Sequence, residues 1–362
     1  MTIEFIGYAG TREYSESMGF DAAGPVVDPE YVGRVARTHE DSGFDRVLIA
    51  HSSSSPDGFV LADQVLSRTK RLGVLLAHRP GFLAPTLAAR SYATLDAFHP
   101  GRIAMHVITG GDDVDQARDG DFSDKPTRYA RTDDFLSVVR KEWYSEGPFD
   151  HEGDFYRVAQ GWSSVRPPTP IPVYFGGASE DAVRVGGKHA DVYAFWGEPL
   201  AGIAERISQV RAVADQHGRS PRFSVSLRPI VAETEEAAWA RAEEVLEQAQ
   251  AKAGADSGGS FRGLGHSEQH GSQRLLEVAA RGDVHDKRLW TAVAKVTGAA
   301  GNSTALVGSY EQVADALLDY VDLGVTTLLI RGFSPLADAA AYGPLISLVR
   351  AGARRRATAV PA

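Results

Sequence analysis

The feature that most constrains this chain is an alternation repeated eight times. Short β-branched or apolar runs are each followed by a longer segment with helical periodicity. Residues 3–8, 46–50, 72–77, 102–108, 173–175, 192–195, 223–232 and 325–330 read as strands. Residues 29–42, 57–68, 85–98, 127–143, 179–189, 199–216, 235–252 and 336–349 read as the helices that follow them. Asp28 is placed to cap the first helix and Gly43 to end it. The run 72–77 has almost no polar interruption, as expected of a parallel strand covered on both faces. Strands alternating with helices imply βαβ units and a parallel sheet. Eight such units imply a closed (β/α)8 TIM barrel more naturally than a doubly wound sheet. No internal sequence repeat accompanies the alternation.

Two stretches break the pattern. Residues 110–125 are acidic and glycine-rich, and 253–271 are rich in Gly, Ser and His. Residues 272–300 have helical periodicity but complete no barrel unit. The expectation is one barrel domain over 1–362, with an insertion at about 253–300. Its first part reads equally as a mobile lid or as a plain linker. A chain of 362 residues suits one barrel with insertions.

Composition excludes several classes of function. The formal charge is −9, from 38 basic and 47 acidic side chains, and the one basic run is Arg354-Arg355-Arg356. Nucleic acid is therefore not an expected partner. The chain has no cysteine, which removes disulfides, thiolate metal sites and a cysteine nucleophile together. No basic segment leads into an apolar run near Met1, and no apolar stretch approaches the roughly 18–20 residues of a membrane span. A cytoplasmic enzyme without membrane partners is the expectation.

In such a barrel the chemistry lies at the C-terminal ends of the strands. Those ends carry His51, then His78-Arg79-Pro80-Gly81, then His106 with Thr109-Gly110-Gly111. The later ends carry Gly176-Gly177-Ala178-Ser179, Trp196-Gly197-Glu198, Arg228 and Arg331-Gly332-Phe333. Glycines between a strand and a helix allow a tight turn, and the helix offers unpaired N–H groups and a positive dipole end. Both suit a phosphate, although Gly-Gly also serves as a simple turn and Ser179 as a simple N-cap. The three strand-end histidines resemble a metal set, but the first strand lacks the His-x-His that barrel hydrolases use, and no metal is expected. No Gly-x-Ser-x-Gly elbow exists for a serine nucleophile.

Taken together, these residues resemble the bacterial luciferase-like flavin-dependent monooxygenases, and within them the alkanesulfonate monooxygenase group. The likeness rests on His78-Arg79-Pro80-Gly81, Pro85 to Arg90, Ala93 to Asp96, His106 to Gly111, Asp119-Gly120-Asp121 and Arg128-Tyr129. It continues through Phe149 to Gly153, Tyr174 to Ser179, Trp196 to Pro199 and Thr304 to Gly308. It implies reduced FMN (FMNH2) from a separate NAD(P)H-dependent flavin reductase, oxygen as co-substrate, a peroxyflavin, and a homodimer or homotetramer. It carries FMN contacts onto His106, Thr109, Asp115, Arg128, Tyr129, Gly177, Ala178 and Ser179, with His51 and His78 beside the flavin ring. Trp196, Arg228 and Arg331 become the catalytic candidates: Trp196 as a wall of the substrate pocket, the arginines as contacts for an anionic substrate.

The chain also departs from the alkanesulfonate group. The group's Arg-x-His on the seventh strand aligns with Ser226-Leu227-Arg228, its lid arginine with Thr297, and its tyrosine after the eighth strand with Phe333. These changes put the sulfonate in doubt, so a sulfone, another organosulfur compound or a specialised metabolite stays open. A deazaflavin-dependent oxidoreductase of the same barrel type is the alternative. A non-catalytic flavin-binding protein is the third reading.

Overall fold

The computed structural model describes residues 2–13, 24–255, 270–299 and 302–359. Its centre is a closed barrel of eight parallel strands. They are β1 (Glu4–Tyr8), β2 (Arg46–Ile49), β3 (Gly73–His78) and β4 (Ile103–Val107), then β5 (Val173–Gly176), β6 (Val192–Trp196), β7 (Arg222–Ala232) and β8 (Val325–Ile330). Each pairs with the next, and β8 pairs back onto β1 through Phe5 and Leu328. The expected (β/α)8 barrel is thus what the chain forms.

Side chains alternate along each strand. Ile6, Leu48, Leu75, Ala104, Tyr174, Val192 and Leu329 meet inside the barrel. Their neighbours Phe5, Val47, Val74, Met105, Phe175, Tyr193 and Val225 face outward under the helices and join the main core. Burying each such side chain stabilises the fold by roughly 1.5–3 kcal/mol before entropic costs. Local signals set the ends. Asp28 Oδ1 accepts from the amides of Glu30 and Tyr31 at 2.9 and 3.1 Å, and Gly43, with φ +89°, ends the helix Pro29–Asp41.

Several elements differ from expectation. The strands Phe149–Glu152 and Arg157–Gly161 form a separate antiparallel pair after β4, unanticipated because half their residues face solvent. The helix expected to follow β7 on the barrel, now Glu235–Ala255, packs elsewhere. It covers a small sheet made by strand Ala305–Ser309, parallel to the upper half of β7, and the antiparallel pairs beyond it. Ala238, Ala242, Val245, Val293 and Trp290 form a second core there. The barrel position goes to helix Tyr310–Asp322, whose Val313, Leu317 and Tyr320 join the main core and which packs against helix Pro335–Ala359. The sequence reading has the first of these as a helix, without the sheet it covers, and does not include the helix Tyr310–Asp322.

Among the described residues no helix is long and apolar enough to cross a membrane.

Candidate active site

A cavity of about 320 Å³ opens at the C-terminal ends of the strands, within the range of small-ligand sites. Leu48, Leu75, Leu329 and Tyr174 form its floor, continuous with the barrel interior. Tyr174 is fixed from below, because its hydroxyl donates to Glu4 Oε2, which also accepts from Thr327 at 3.0 Å. Trp196, Phe195, Ser224 and Ser226 make one wall, and His106, Ile108 and Thr109 another. Gly271, in helix His270–Ala280, comes so close to Trp196 that an added Cβ would stand 3.2 Å from Cε3 of the indole.

The sharpest local arrangement follows β5. Gly177 takes φ +150°, and a Cβ there would lie 2.5 Å from the Ala182 Cβ and 3.2 Å from the Tyr129 hydroxyl. Its carbonyl accepts from the Tyr193 hydroxyl at 3.0 Å and from the Arg206 guanidinium. Ser179 caps helix Glu180–His189, accepting from the Ala182 amide at 3.3 Å. Lys125 and Tyr129, one turn apart on helix Lys125–Tyr144, reach the same space. Arg206 is buried, and its Nε has no protein partner. Backbone at a helix N-terminus, a phenol and two cations therefore converge, as binding a phosphate requires. His106 also lines the cavity. Burial lowers its pKa to about 4, so it is neutral at pH 7, and its Nδ1 has no protein partner.

Of the residues expected from sequence, His106, Thr109, Tyr129, Gly177, Ala178, Ser179, Trp196 and Arg331 line this cavity. His51, His78, Asp115, Arg128 and Arg228 do not. His78 points outward from β3 and stacks on Phe135, with ring centroids 5.2 Å apart, and burial lowers its pKa to about 3. His51 lies near Arg79, Asp119 and Asp115, its pKa lowered by burial and then by Arg79. Asp115 pairs with Arg79 at 2.9 Å and accepts from the Ser53 amide at 3.0 Å. Arg128 is buried against Asp113 at 2.6 Å and the Ser123 carbonyl. Arg228 donates to the carbonyls of Asn302 and Gly332 at 2.9 and 3.0 Å, so these two donors are spent on backbone rather than on a bound anion.

Sequence reasoning missed Lys125, Arg206, Ser224, Ser226, His270 and Asn302, and gave Glu198 no role, although all line the cavity. Lys125 was findable as the residue one helical turn before Tyr129, and the two serines from strand alternation. Nothing local marks Arg206 or Asn302. Buried Glu198 takes 2.6 and 3.0 Å bonds from Arg274 of helix His270–Ala280 and stands 3.7 Å from Arg206. It thereby ties that helix to the rim. Residues 256–269, within the expected insertion, lie outside the described residues. Among the described residues no group of three or more His, Asp or Glu is placed to hold a metal ion.

Closed barrel and strand-end cavity together define an α/β-barrel protein with a site sized for a small ligand. The chain belongs to the luciferase-like monooxygenase family, which it matches over residues 9–327. Solved structures share the fold at low identity. A riboflavin lyase, RcaE, solved with modified FMN and riboflavin, is 20% identical with a TM-score of 0.79, covering 99% of this chain and 93% of that one. The EDTA monooxygenase EmoA from Chelativorans sp. BNC1 is 19% identical with a TM-score of 0.73, covering 100% and 95%. An F420-dependent secondary alcohol dehydrogenase, in complex with an F420-acetone adduct, is 16% identical with a TM-score of 0.70, covering 96% and 99%.

Proposed function

We propose that this enzyme is a monooxygenase dependent on FMNH2 and O2, acting on a small organosulfur compound, a sulfonate or sulfone, or a related substrate. The observation that carries the reading is the cradle at Gly177-Ala178-Ser179 with Tyr129, Lys125 and Arg206. The residues fit the cofactor. The unpartnered Nε of buried Arg206 and the unpartnered Nδ1 of His106 each suit a polar ligand atom, and a side chain on Gly177 would collide with Ala182. The cradle would hold the FMN phosphate, and His106 and Thr109 would border the ring system. When bound, reduced flavin supplies two electrons and the activation of dioxygen.

The protein's own part is placement and dryness. Trp196, Phe195 and Gly271 wall the cavity against water, which matters when reactive oxygen chemistry must not be quenched. Arg331 sits at the end of β8, three strands round the barrel from β5, and would meet an anionic group of the substrate. We read the chain as one barrel domain with an insertion at about 253–300, of which His270 and Gly271 border this site. The expected setting is cytoplasmic, as a homodimer or homotetramer fed by a separate NAD(P)H-dependent flavin reductase.

The test is oxygen uptake with reductase-supplied FMNH2 and a panel of sulfonates and sulfones, scoring sulfite or sulfinate. Substrate-dependent release supports the reading, and peroxide alone with every compound rejects the organosulfur substrate. Likeness to an F420-dependent dehydrogenase over 96% of the chain keeps a deazaflavin reading as second. Hydride transfer from reduced F420 without oxygen uptake would select it.

A further inference from the structure

The seventh strand carries an arginine that touches the cavity only through other residues. Ser224 and Ser226 of β7 line the cavity, and Arg228 is the next residue of the same parity. It is buried, with its side chain between two backbone segments. Nε donates to the carbonyl of Asn302 at 2.9 Å and Nη1 to that of Gly332 at 3.0 Å, while Cζ stands 5.0 Å from the centre of the Phe333 ring. The Arg228 amide donates to the Thr304 carbonyl at 3.0 Å. One residue thus clasps the segment carrying Asn302 and the segment beginning with Arg331, and both of those residues line the cavity.

Asn302 is contacted at both ends of its side-chain amide. It takes φ +56°, a region Asn tolerates better than most residues. Its Nδ2 donates to the Ser226 carbonyl at 2.6 Å, and its Oδ1 lies 3.0 Å from the Thr304 hydroxyl, whose one proton is shared with the Gly197 carbonyl at 2.9 Å. A carbonyl can only accept, so the orientation of the amide is set by its partners. An NH2 group has two N–H bonds. One is spent on Ser226, and the other remains for a ligand.

We propose that Asn302 is a substrate-contacting residue that works with Arg331 to recognise an oxyanion on the substrate, and that Arg228 is the positioning residue that sets both. The inference rests on the flavin-site reading above and names the chemistry of its second ligand. Two N–H donors from different walls suit a compact group with several acceptor oxygens, a sulfonate or a carboxylate. Arg228 acts at a distance: its two carbonyl contacts fix the backbone from which Asn302 and Arg331 project.

The experiment uses the FMN-loaded full chain, with sodium butanesulfonate and sodium butanoate as probes in calorimetric titration. FMN affinity is measured separately by flavin fluorescence. Asn302→Gly keeps the positive φ and removes the amide, and Asn302→Asp keeps the shape and adds a negative charge. We expect at least one probe to bind the parent protein. Its affinity should fall about fivefold in Asn302→Gly and at least tenfold in Asn302→Asp, with FMN affinity held within twofold. Arg228→Met should lose probe affinity as strongly, and Arg228→Lys, which can reach one carbonyl, should recover part of it. Which probe binds separates sulfonate from carboxylate recognition. Probe affinity indifferent to both Asn302 changes overturns the proposal, as does a flavin-loaded protein that binds neither probe. Absence of FMN binding in the parent protein would instead reject the underlying flavin reading.

Discussion

The imidazole of His39 occupies the space that a side chain at Gly7 would need. A Cβ built on Gly7 would stand 2.1 Å from His39 Cδ2 and 3.2 Å from the Phe44 ring. The imidazole cannot retreat, because its Nδ1 donates to the Val35 carbonyl at 2.7 Å. Gly7→Ala should therefore destabilise the barrel by about 3 kcal/mol, the upper end of overpacking. The same change made in a His39→Ala background should cost much less. Urea unfolding of the four proteins measures this, and equal losses in both backgrounds would contradict the steric account.

Acid should weaken the fold earlier than its carboxylates alone would. Burial lowers the pKa of His39 to about 4, of His78 to about 3 and of His106 to about 4, from an ordinary 6.5. Below pH 6.5 the unfolded chain takes up protons that the native state refuses. Stability is thus complete above pH 6.5 and declines as pH falls toward 4, by up to about 3 kcal/mol for each histidine. Asp121, held to about 2 with its Arg131 partner, loses its contribution only below the ordinary 3.8. Glu142, pushed up by burial, works in the opposite sense, because its proton is held more tightly in the native state. The urea midpoint should fall between pH 7 and pH 5, and a flat midpoint would refute the histidine account.

At the cradle, Ser179→Ala removes an N-cap and a hydroxyl that lines the cavity. Thermal unfolding should show a loss of about 1 kcal/mol from the cap. FMN affinity should drop roughly five- to thirtyfold, equivalent to about 1–2 kcal/mol for one charge-assisted hydrogen bond. A destabilised variant with unchanged flavin affinity would leave Ser179 as a cap alone.

Arg206→Met keeps the stem that packs near Phe195 and removes the guanidinium over that ring. The Gly177 carbonyl then keeps the Tyr193 hydroxyl as its partner. FMN binding should weaken by at least tenfold, and the loss should persist at high salt, because a buried cation is screened little. An unaltered FMN affinity would count against Arg206 as a phosphate contact.

The barrel was legible because parallel strands covered on both faces are apolar runs, and all eight were found as such. The extra layer was not, because the partner of strand Ala305–Ser309 is the far half of a strand already assigned. At the site the strand-end rule succeeded where parity agreed with it. His106, Trp196 and Arg331 share the inward phase of Ala104, Ala194 and Leu329 and line the cavity. His78, three residues past Leu75, has the outward phase and goes under the helices. Applying alternation to strand ends would have removed His78 and admitted Ser224 and Ser226. Arg206 and Asn302 come from a helix and from a crossover, where no two-residue period applies.

The split pairing of β7 sets a limit on simplifying this protein. Its first half closes the barrel against β8, and its second half, Arg228 to Ala232, pairs with Ala305–Ser309 instead. Excising the added layer to make a minimal barrel would strip five rungs of ladder from that strand and leave Ile230 uncovered. The appendage and the cylinder share one girder, so a trimmed version would have to be redesigned along β7 and not merely shortened.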